Sequence, residues 1–325
     1  MPCEGSFKPI AGSGERGFAG EPPCRSTAGA APEGRPRGNS SRAFGSLAGT
    51  WLSKRRILPC LLPLILFICW NLATSSGLAP EYLLPSPRTV WETVCAYMGA
   101  VSEGYADAYA GRFWGDLSAS LGRVGSGYLL AVIPGVALGL ASGRSPALAS
   151  LLSPIINGVR AVPGISWLPL ALLWLGIGFR ATVFLIALAG FFPAYLNAAA
   201  GAASVPPVLI RAGRMLGFGR RAIFFRVVIP SAMPQVRTGL RVALGMSFSY
   251  LVLGELTGVP DGLGAMIMDA RLAGRVDLLV SGIILIALVG WLCDVLLMRA
   301  LSIFETATFG TLSMFRNMEI LPQGR

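Results

Sequence analysis

The sequence lacks histidine entirely and is poor in charge. Charged residues make up 13% of its 325 residues, against about 25% in a typical soluble domain, whereas 54% are hydrophobic. Without histidine, Ser-His-Asp triads, histidine general bases and histidine metal sites are excluded. The low charge argues against a soluble enzyme and predicts an all-α integral membrane protein.

No short motif for catalysis, metal binding or nucleotide binding is present. The six cysteines form no C-x-x-C pair, which excludes a zinc ribbon and a thioredoxin-type site. The chain has no G-x-x-x-x-G-K-[ST] loop, so it cannot bind nucleotide as P-loop ATPases do. The net charge of +11 indicates basic cytoplasmic loops rather than binding to nucleic acid. We therefore expect no catalytic residue, metal ion or bound cofactor in this chain.

Residues 1–56 differ in composition from the rest of the chain. They contain ten Gly, six Pro and nine Lys or Arg, with few large apolar side chains. Such a segment cannot bury enough surface to offset its ordering entropy, so we predict a disordered basic tail. This tail either lacks a function or reflects a start placed too far upstream. Lys54, Arg55 and Arg56 precede an apolar run, which places the N-terminus in the cytoplasm.

Six apolar stretches are long enough to cross a bilayer as helices, which takes about 20 residues each. Nineteen Lys or Arg fall on the predicted cytoplasmic side and five outside, which supports two cytoplasmic termini. The predicted organisation is a first helix with an external connection over 57–118, a core over 119–301 and a cytoplasmic tail over 302–325. The six predicted spans are 57–76, 120–142, 149–175, 181–203, 238–257 and 280–301.

Two of these regions have distinct internal patterns. In the external connection, Val90 and Val94 belong to a short amphipathic helix predicted at the membrane interface. In 149–175, Pro163 and Gly164 interrupt an apolar stretch, and proline removes a backbone donor that lipid cannot replace. This stretch is either a broken helix that faces the bundle interior or a kinked packing helix.

The loop 204–237 is long, basic and partly apolar. A helix is predicted after its first prolines, and glycines end this helix before a second one over 220–229. The punctuating residues are Pro206, Pro207, Gly217, Gly219, Pro230 and Pro234. At 100° per residue, one side of the first helix consists of Val208, Leu209, Ala212, Met215 and Leu216. This loop either lies on anionic lipid or docks a cytoplasmic partner.

The spacing of small residues in this loop is distinctive. It carries Ala212 and Gly213, then Gly217 after three residues, and Val227-Val228-Ile229-Pro230 about ten residues further on. This pattern resembles the EAA loop of ABC-importer permease subunits, which reads E-A-A, a glycine after three residues, and then I-x-L-P. Arg211 stands where the family has glutamate, which reverses the charge there. The resemblance makes the following residues the expected ATPase-coupling positions: Arg211, Ala212, Gly213, Gly217, Ile229 and Pro230.

A second stretch widens the resemblance. Residues 163–170 read P-G-I-S-W-L-P-L, and residues 173–178 read L-W-L-G-I-G. They are similar to the P-P-x-A-W-L-P-L-x-x-x-W-F-G-I-G signature of the branch that contains nitrate, sulfonate and taurine permeases. Glu255 with the Gly-Leu-Gly at 262–264, and Asp294, also resemble that branch. The likeness covers residues 85–301.

The resemblance implies a type I ABC importer-like permease fold of about six transmembrane helices in the plasma (inner) membrane. It implies a homodimer, two cytoplasmic ATPases and an external binding protein that delivers the solute. The helix 206–217 would be the coupling helix in a cleft of the ATPase. The chain is then a transport subunit and not an enzyme, and ATP acts through its partner. The expected solute is small and nitrate-, sulfonate- or taurine-like.

Charges and aromatic residues within the spans are candidates for function. The residues proposed along the translocation path are Trp167, Pro169, Glu255 and Asp294. Glu255 either belongs to that path or only reaches the interface. Asp294 is expected to hydrogen-bond between helices or to pair with Arg299. Arg123 and Arg160 either attract an anionic substrate or cap helices and snorkel to head groups.

Two other classes of function compete with the permease. An ATP-independent secondary carrier or channel is the alternative, because carriers also contain broken helices at mid-membrane. Against it, the two halves show no clear internal duplication and the docking-like loop would be unexplained. A membrane enzyme is disfavoured because the spans contain no acidic cluster and the chain no histidine. Membrane lipid is the only further partner expected.

Overall fold

The computed structural model describes residues 47–77, 80, 82–99 and 109–309, and at 47–60 and 307–309 it describes the backbone only. Most of the predicted tail 1–56 and residues 310–325 lie outside the described residues. All regular elements within the described ranges are helical, which confirms the all-α prediction. They are α1 (Leu47–Ser75), α2 (Pro87–Met98), α3 (Phe113–Arg144), α4 (Pro146–Ala161), α5 (Leu168–Leu175), α6 (Phe179–Ala203), α7 (Pro207–Met215), α8 (Arg220–Ile223), α9 (Ile229–Glu255), α10 (Leu263–Leu272) and α11 (Val276–Phe309), with a 3-10 turn at Gly164–Trp167.

Helices α3 and α6 pack along a stripe of small residues. Its members on α3, each four residues from the next, are Gly127, Ala131, Gly135, Gly139 and Gly143. A Cβ added at Gly139 would lie 2.5 Å from the carbonyl oxygen of Tyr195 on α6, and one at Gly143 would overlap the carbonyl oxygen of Ala199. Glycine therefore lets the two backbones approach closely, as in the small-xxx-small contacts of membrane helices.

Helix α6 lies between α3 and α9. On the α9 side, a Cβ added at Gly239 would lie 2.6 Å from Cβ of Asn197, and one at Gly254 would lie 2.7 Å from Cγ2 of Thr182. On the α3 side, Ile186 is 0% exposed. Helices α3, α6 and α9 thus form the packed centre, and α10 and α11 contact α9.

The predicted span 149–175 is broken. Helix α4 and the segment Gly164–Leu175 are bent by 86° relative to each other. A Cβ at Gly164 would overlap the hydroxyl of Tyr250, so glycine is what lets this bend approach α9. The structure therefore confirms the broken helix over the kinked packing helix.

Fewer helices than predicted are long and apolar enough to cross a membrane by length and composition alone. Among the described residues there are three, namely α3, α6 and Val276–Thr306 of α11, or four if the bent pair is one span. The expected count of six is not reached by this criterion. Of α1, only the apolar stretch Leu61–Ser75 enters this comparison, and it is shorter than a span. Helix α9 has 27 residues, but Arg241 and Glu255 lower its hydropathy.

Two helices extend beyond the predicted spans. Residues 302–309, predicted as tail, continue helix α11. Helix α9 begins well before the predicted residue 238, because a π-helical turn at Phe224–Val228 joins α8 to α9 without a break. In an α-helix the ring of Pro230 would clash with the carbonyl of Arg226, four residues earlier. Here Arg226 lies in the π-turn, which is wider than an α-helical turn. The prolines of this region therefore do not separate the loop from the span.

The amphipathic helix predicted in the external connection is α2. Its N-terminus is capped by Ser86, whose hydroxyl accepts a hydrogen bond from the N–H of Thr89 at 3.2 Å. Its apolar side buries Val90, Val94 and Tyr97, and the last two pack in a cluster with α10 and α11. The apolar side is thus covered by protein rather than by the membrane interface.

Candidate functional site

The loop 204–237 forms the predicted helix–glycine–helix. After α7, Gly217 turns the chain with a φ of 78°, a left-handed conformation that favours glycine. Two backbone hydrogen bonds close the turn, from Gly217 N–H to Arg214 C=O and from Phe218 N–H to Gly213 C=O, each 3.0 Å. Of the predicted coupling residues, Arg211, Ala212 and Gly217 are exposed, Gly213 is buried, and Ile229 and Pro230 are partly buried.

Helix α7 packs against the chain through one side only. Ile210 and Gly213 are buried, and a Cβ at Gly213 would contact α8 at 3.4 Å. The apolar side predicted from helical spacing points outwards: Met215 is 88% exposed, Leu216 73% and Val208 63%. We call Val208, Leu209, Met215 and Leu216 the coupling surface, after the role that the sequence resemblance predicts for this loop. An exposed apolar group of this kind, rimmed by polar residues, is typical of an interaction site.

Positive charge surrounds the coupling surface. The loop 204–237 contains six arginines and no Asp or Glu. Arg211 and Arg214 are exposed and form no ion pair within the part of the chain that the structure describes. The guanidinium of Arg226 lies over the ring of Phe218, 5.5 Å from its centroid. The loop therefore presents apolar side chains together with uncompensated cations.

A cavity of about 410 Å³ lies at the bend of the broken span and is bounded by α6 and α9. Its wall is mostly apolar, with Leu188, Phe192 and Met246 among the lining residues. Its polar side chains are those of Arg160, Trp167, Asn197 and Tyr250. Of the residues predicted along the translocation path, Trp167 lines this cavity, and Pro169, Glu255 and Asp294 do not.

The polar lining of the cavity consists mainly of hydrogen-bond donors. Within the described residues, the side chains of Arg160, Trp167 and Tyr250 make no hydrogen bond or ion pair. The Asn197 amide donates to the carbonyl oxygen of Pro193 at 2.8 Å. No carboxylate lines the cavity. Sequence reasoning missed Tyr250. Its contact with Gly164 becomes apparent only once the fold is known.

Glu255 is buried at the end of α9 with 0% exposure. Its Oε1 accepts hydrogen bonds from Arg123 Nη1 at 2.7 Å and from Ser120 Oγ at 2.8 Å, and its Oε2 accepts from Gly264 N–H at 2.8 Å. Arg123 also pairs with the carboxylate of Asp261 and donates to its main-chain oxygen at 2.9 Å. We call these five residues the buried ion cluster, although the side chain of Asp261 at its edge is 52% exposed. It joins α3, α9 and α10, so Arg123 holds helices together in this structure.

The start of α10 is capped by side chains from other helices. The N–H of Gly262 donates to Asp116 at 3.0 Å and the N–H of Leu263 to Ser120 at 2.9 Å, beside the bond to Glu255. These contacts satisfy amides that a helix leaves free at its N-terminus. The Tyr97 hydroxyl donates to Asp116 at 2.7 Å. Burial, together with that hydrogen bond, raises the pKa of Tyr97, which keeps the phenol protonated as a donor.

Asp294 pairs with a different arginine from the one expected. Arg241 of α9 donates to its two carboxylate oxygens at 3.0 and 2.8 Å. Arg299 forms no ion pair within the described residues. Of the two alternatives expected for Asp294, the hydrogen bond between helices is confirmed, and the pair with Arg299 is not formed. Arg299 lies five residues along the same helix, whereas Arg241 faces Asp294 from α9. Opposite charges in two spans are the signal that could have indicated this pair.

Comparisons with known proteins match this architecture. The family described as binding-protein-dependent transport system inner membrane component matches residues 135–309. The chain belongs to this family. The permease is 38% identical to the taurine transport system permease protein TauC of Escherichia coli (strain K12), over 72% of this chain and 82% of that one.

Other relatives of the permease carry different names. It is 32% identical to the putative aliphatic sulfonates transport permease protein SsuC of Bacillus subtilis (strain 168), over 72% of this chain and 81% of that one. It is 31% identical to the nitrate import permease protein NrtB of Leptolyngbya laminosa, over 81% of this chain and 92% of that one. The predicted nitrate, sulfonate and taurine branch is thus confirmed. The chain is a multi-pass membrane permease subunit of an ABC importer, a transport component rather than an enzyme.

Proposed function

We propose that this permease passes a small oxyanion through the cavity at the bend of the broken span. The observation that carries this proposal is the polar lining: Arg160 is its one charged side chain, and Trp167 and Tyr250 add donors that have no acceptor within the described chain. An anion can accept from all three groups, whereas a cation would meet only repulsion from the guanidinium. Relatives named for taurine, aliphatic sulfonates and nitrate support the same class of solute.

The translocation path is completed in this proposal by a second copy of the permease. Side chains on and after α5 are apolar and unusually exposed: Leu173 is 80% exposed, Ile177 65% and Trp174 64%. A second copy would cover this surface beside the cavity and shield the solute from lipid. An external binding protein delivers the solute, and both termini of the permease lie in the cytoplasm.

Energy enters through the coupling surface, which docks in a cleft of a cytoplasmic ATPase. The exposed Met215 and Leu216 supply apolar contact area. Arg211 stands where the family has glutamate, so the ATPase of this importer should present a carboxylate there. The permease itself binds no cofactor, and ATP acts through this partner.

The solute proposal is tested by changing Arg160 and measuring ATP-dependent uptake of labelled taurine and nitrate. Arg160→Gln should lower uptake at least about ten-fold, because a hydrogen bond to a charged group contributes about 1.5–3 kcal/mol. Arg160→Lys should retain most of the uptake. The matched control is Arg180→Gln, which changes an exposed arginine outside the cavity. Equal uptake by Arg160→Gln and the control would contradict the proposal.

The coupling proposal is tested by co-purification with the ATPase from gently solubilised membranes. Met215→Asp places a charge on the coupling surface and should abolish recovery of the ATPase. Leu272→Asp, at a site that is 75% exposed beyond the opposite end of α9, is the matched control and should not. Arg211→Glu should also lower recovery. Full recovery with Met215→Asp, or uptake that survives ATP depletion, would overturn this assignment and favour a carrier.

A further inference from the structure

A cleft of about 360 Å³ opens between α9 and α11, on the side of the loop 204–237. Three arginines and a single carboxylate line it, namely Arg237, Arg241, Arg299 and Asp294. Arg241 forms an ion pair with Asp294, and Nη1 of Arg237 lies 3.6 Å from Oε2 of Glu305. Arg299 is exposed and has no partner within the described residues. The cleft therefore keeps an excess of positive charge even after both carboxylates are counted.

An exposed apolar stripe continues from this cleft along α11. Ile284, Leu288 and Trp291 are 43%, 55% and 62% exposed. They lie at spacings of four and three residues, and Val295 and Met298 of the cleft wall extend the same side of the helix. From Val295 back to Ile284 the helix rises about 16 Å, at about 1.5 Å per residue. That is close to half of a hydrocarbon core of about 30 Å.

The depth of the charges fits a head group. Arg299 lies 23 residues after Val276, where α11 begins, which is about 35 Å along the helix. That distance exceeds the hydrocarbon core, so the guanidinium reaches its edge when the helix crosses the membrane. A negative head group would meet the arginines there, and its acyl chain would lie along the apolar stripe.

From this arrangement we propose that the cleft binds an anionic glycerophospholipid. Its phosphate contacts Arg299 and the outer side of Arg241, and one acyl chain packs on Trp291 and Leu288. The site is separate from the cavity and from the coupling surface, so it does not depend on the identity of the solute. Basic clefts between membrane helices at this level are suited to acidic lipids, with about 1 kcal/mol of attraction per basic side chain.

The test is lipid binding by the full chain, purified in a non-ionic detergent, delipidated and followed by native mass spectrometry. Phosphatidylglycerol and phosphatidylcholine with identical acyl chains are compared at equal concentrations. We expect phosphatidylglycerol to bind at least five-fold more tightly. Arg299→Gln should weaken it about five-fold and leave phosphatidylcholine unchanged, whereas Arg180→Gln should change neither. Asp294→Asn, which removes a negative charge, should strengthen phosphatidylglycerol binding.

Two further arms identify the occupant. Glycerol phosphate, the soluble head-group analogue, should not displace the lipid, because it lacks the chain that covers the stripe. Phosphatidylglycerol with brominated acyl chains should quench tryptophan fluorescence more in the wild type than in Trp291→Phe. Equal binding of the two lipids, an equal effect of Arg299→Gln and Arg180→Gln, or displacement by glycerol phosphate would each overturn the proposal. Dimerisation through this face in place of lipid binding would overturn it as well.

Discussion

Replacing Glu255 with alanine measures what the buried ion cluster contributes to stability. The substitution removes the acceptor of three donors, those of Arg123, Ser120 and Gly264. Arg123 is 3% exposed, so its guanidinium cannot turn to water and keeps only its contacts with Asp261. Removing one partner of a buried ion pair costs about 3–5 kcal/mol in soluble proteins. Hydrogen bonds between membrane helices average lower, about 0.6 kcal/mol.

Because one cation stays partly paired, we expect Glu255→Ala to lower the free energy of unfolding by about 3 kcal/mol. The free energy of unfolding of Glu255→Gln should lie between those of the wild type and Glu255→Ala, since its amide oxygen can still accept from one donor. The assay is unfolding of the full-length permease in mixed micelles titrated with dodecyl sulfate, followed by far-UV circular dichroism.

The matched control for this prediction is Glu92→Ala. Glu92 also pairs with an arginine, Arg88, at 2.9 Å, but its side chain is 58% exposed. An exposed pair at this helical spacing contributes about 0.3–0.5 kcal/mol. A loss for Glu255→Ala no larger than that for Glu92→Ala would refute the reasoning that burial makes the cluster important.

Three further predictions concern single positions. Gly139→Ala should lower the free energy of unfolding by about 1–3 kcal/mol. The control Gly122→Ala, with open space around its added Cβ, should be neutral or slightly stabilising. Equal effects of the two substitutions in the same titration would contradict the close approach of α3 and α6. Ser86→Ala should cost about 1 kcal/mol and speed amide hydrogen exchange at the start of α2, and unchanged exchange would contradict the cap. Gly164→Ala should lower the free energy of unfolding in the same titration, because its methyl would overlap the hydroxyl and the ring of Tyr250; unchanged stability would argue against this contact.

Local sequence patterns predicted the features that local chemistry determines. The apolar runs at α3, α6 and α11 are long enough to be recognised without any partner, and Pro163 with Gly164 indicated the broken span. Gly217 indicated the turn of the coupling loop because few other residues adopt a positive φ. What was missed depends on distant contacts. Arg123 and Glu255 are 132 positions apart, so no window of sequence shows that each neutralises the other.

The coupling loop shows the same limit in a different form. Helical spacing identified the apolar side of α7, but periodicity alone does not say whether that side faces the chain or its surroundings. Ile210 and Gly213, on another side, make the internal contact. The π-turn before Pro230 could not be predicted from the sequence either, because residue preferences do not distinguish a widened turn from an ordinary α-helical one. The criterion of length and composition leaves out α9, whose Arg241 and Glu255 each pair with a residue of another helix.

The distance along the chain between the members of the buried ion cluster has a consequence for biosynthesis. At about 5–20 residues per second, the ribosome needs roughly 7–26 s to travel the 132 residues from Arg123 to Glu255. During that interval α3 carries an arginine whose carboxylate partners do not yet exist. The buried ion cluster can therefore form only after α9 and the start of α10 have been synthesised. A nascent chain that stops before Glu255 leaves that charge without the partners it has in the folded permease.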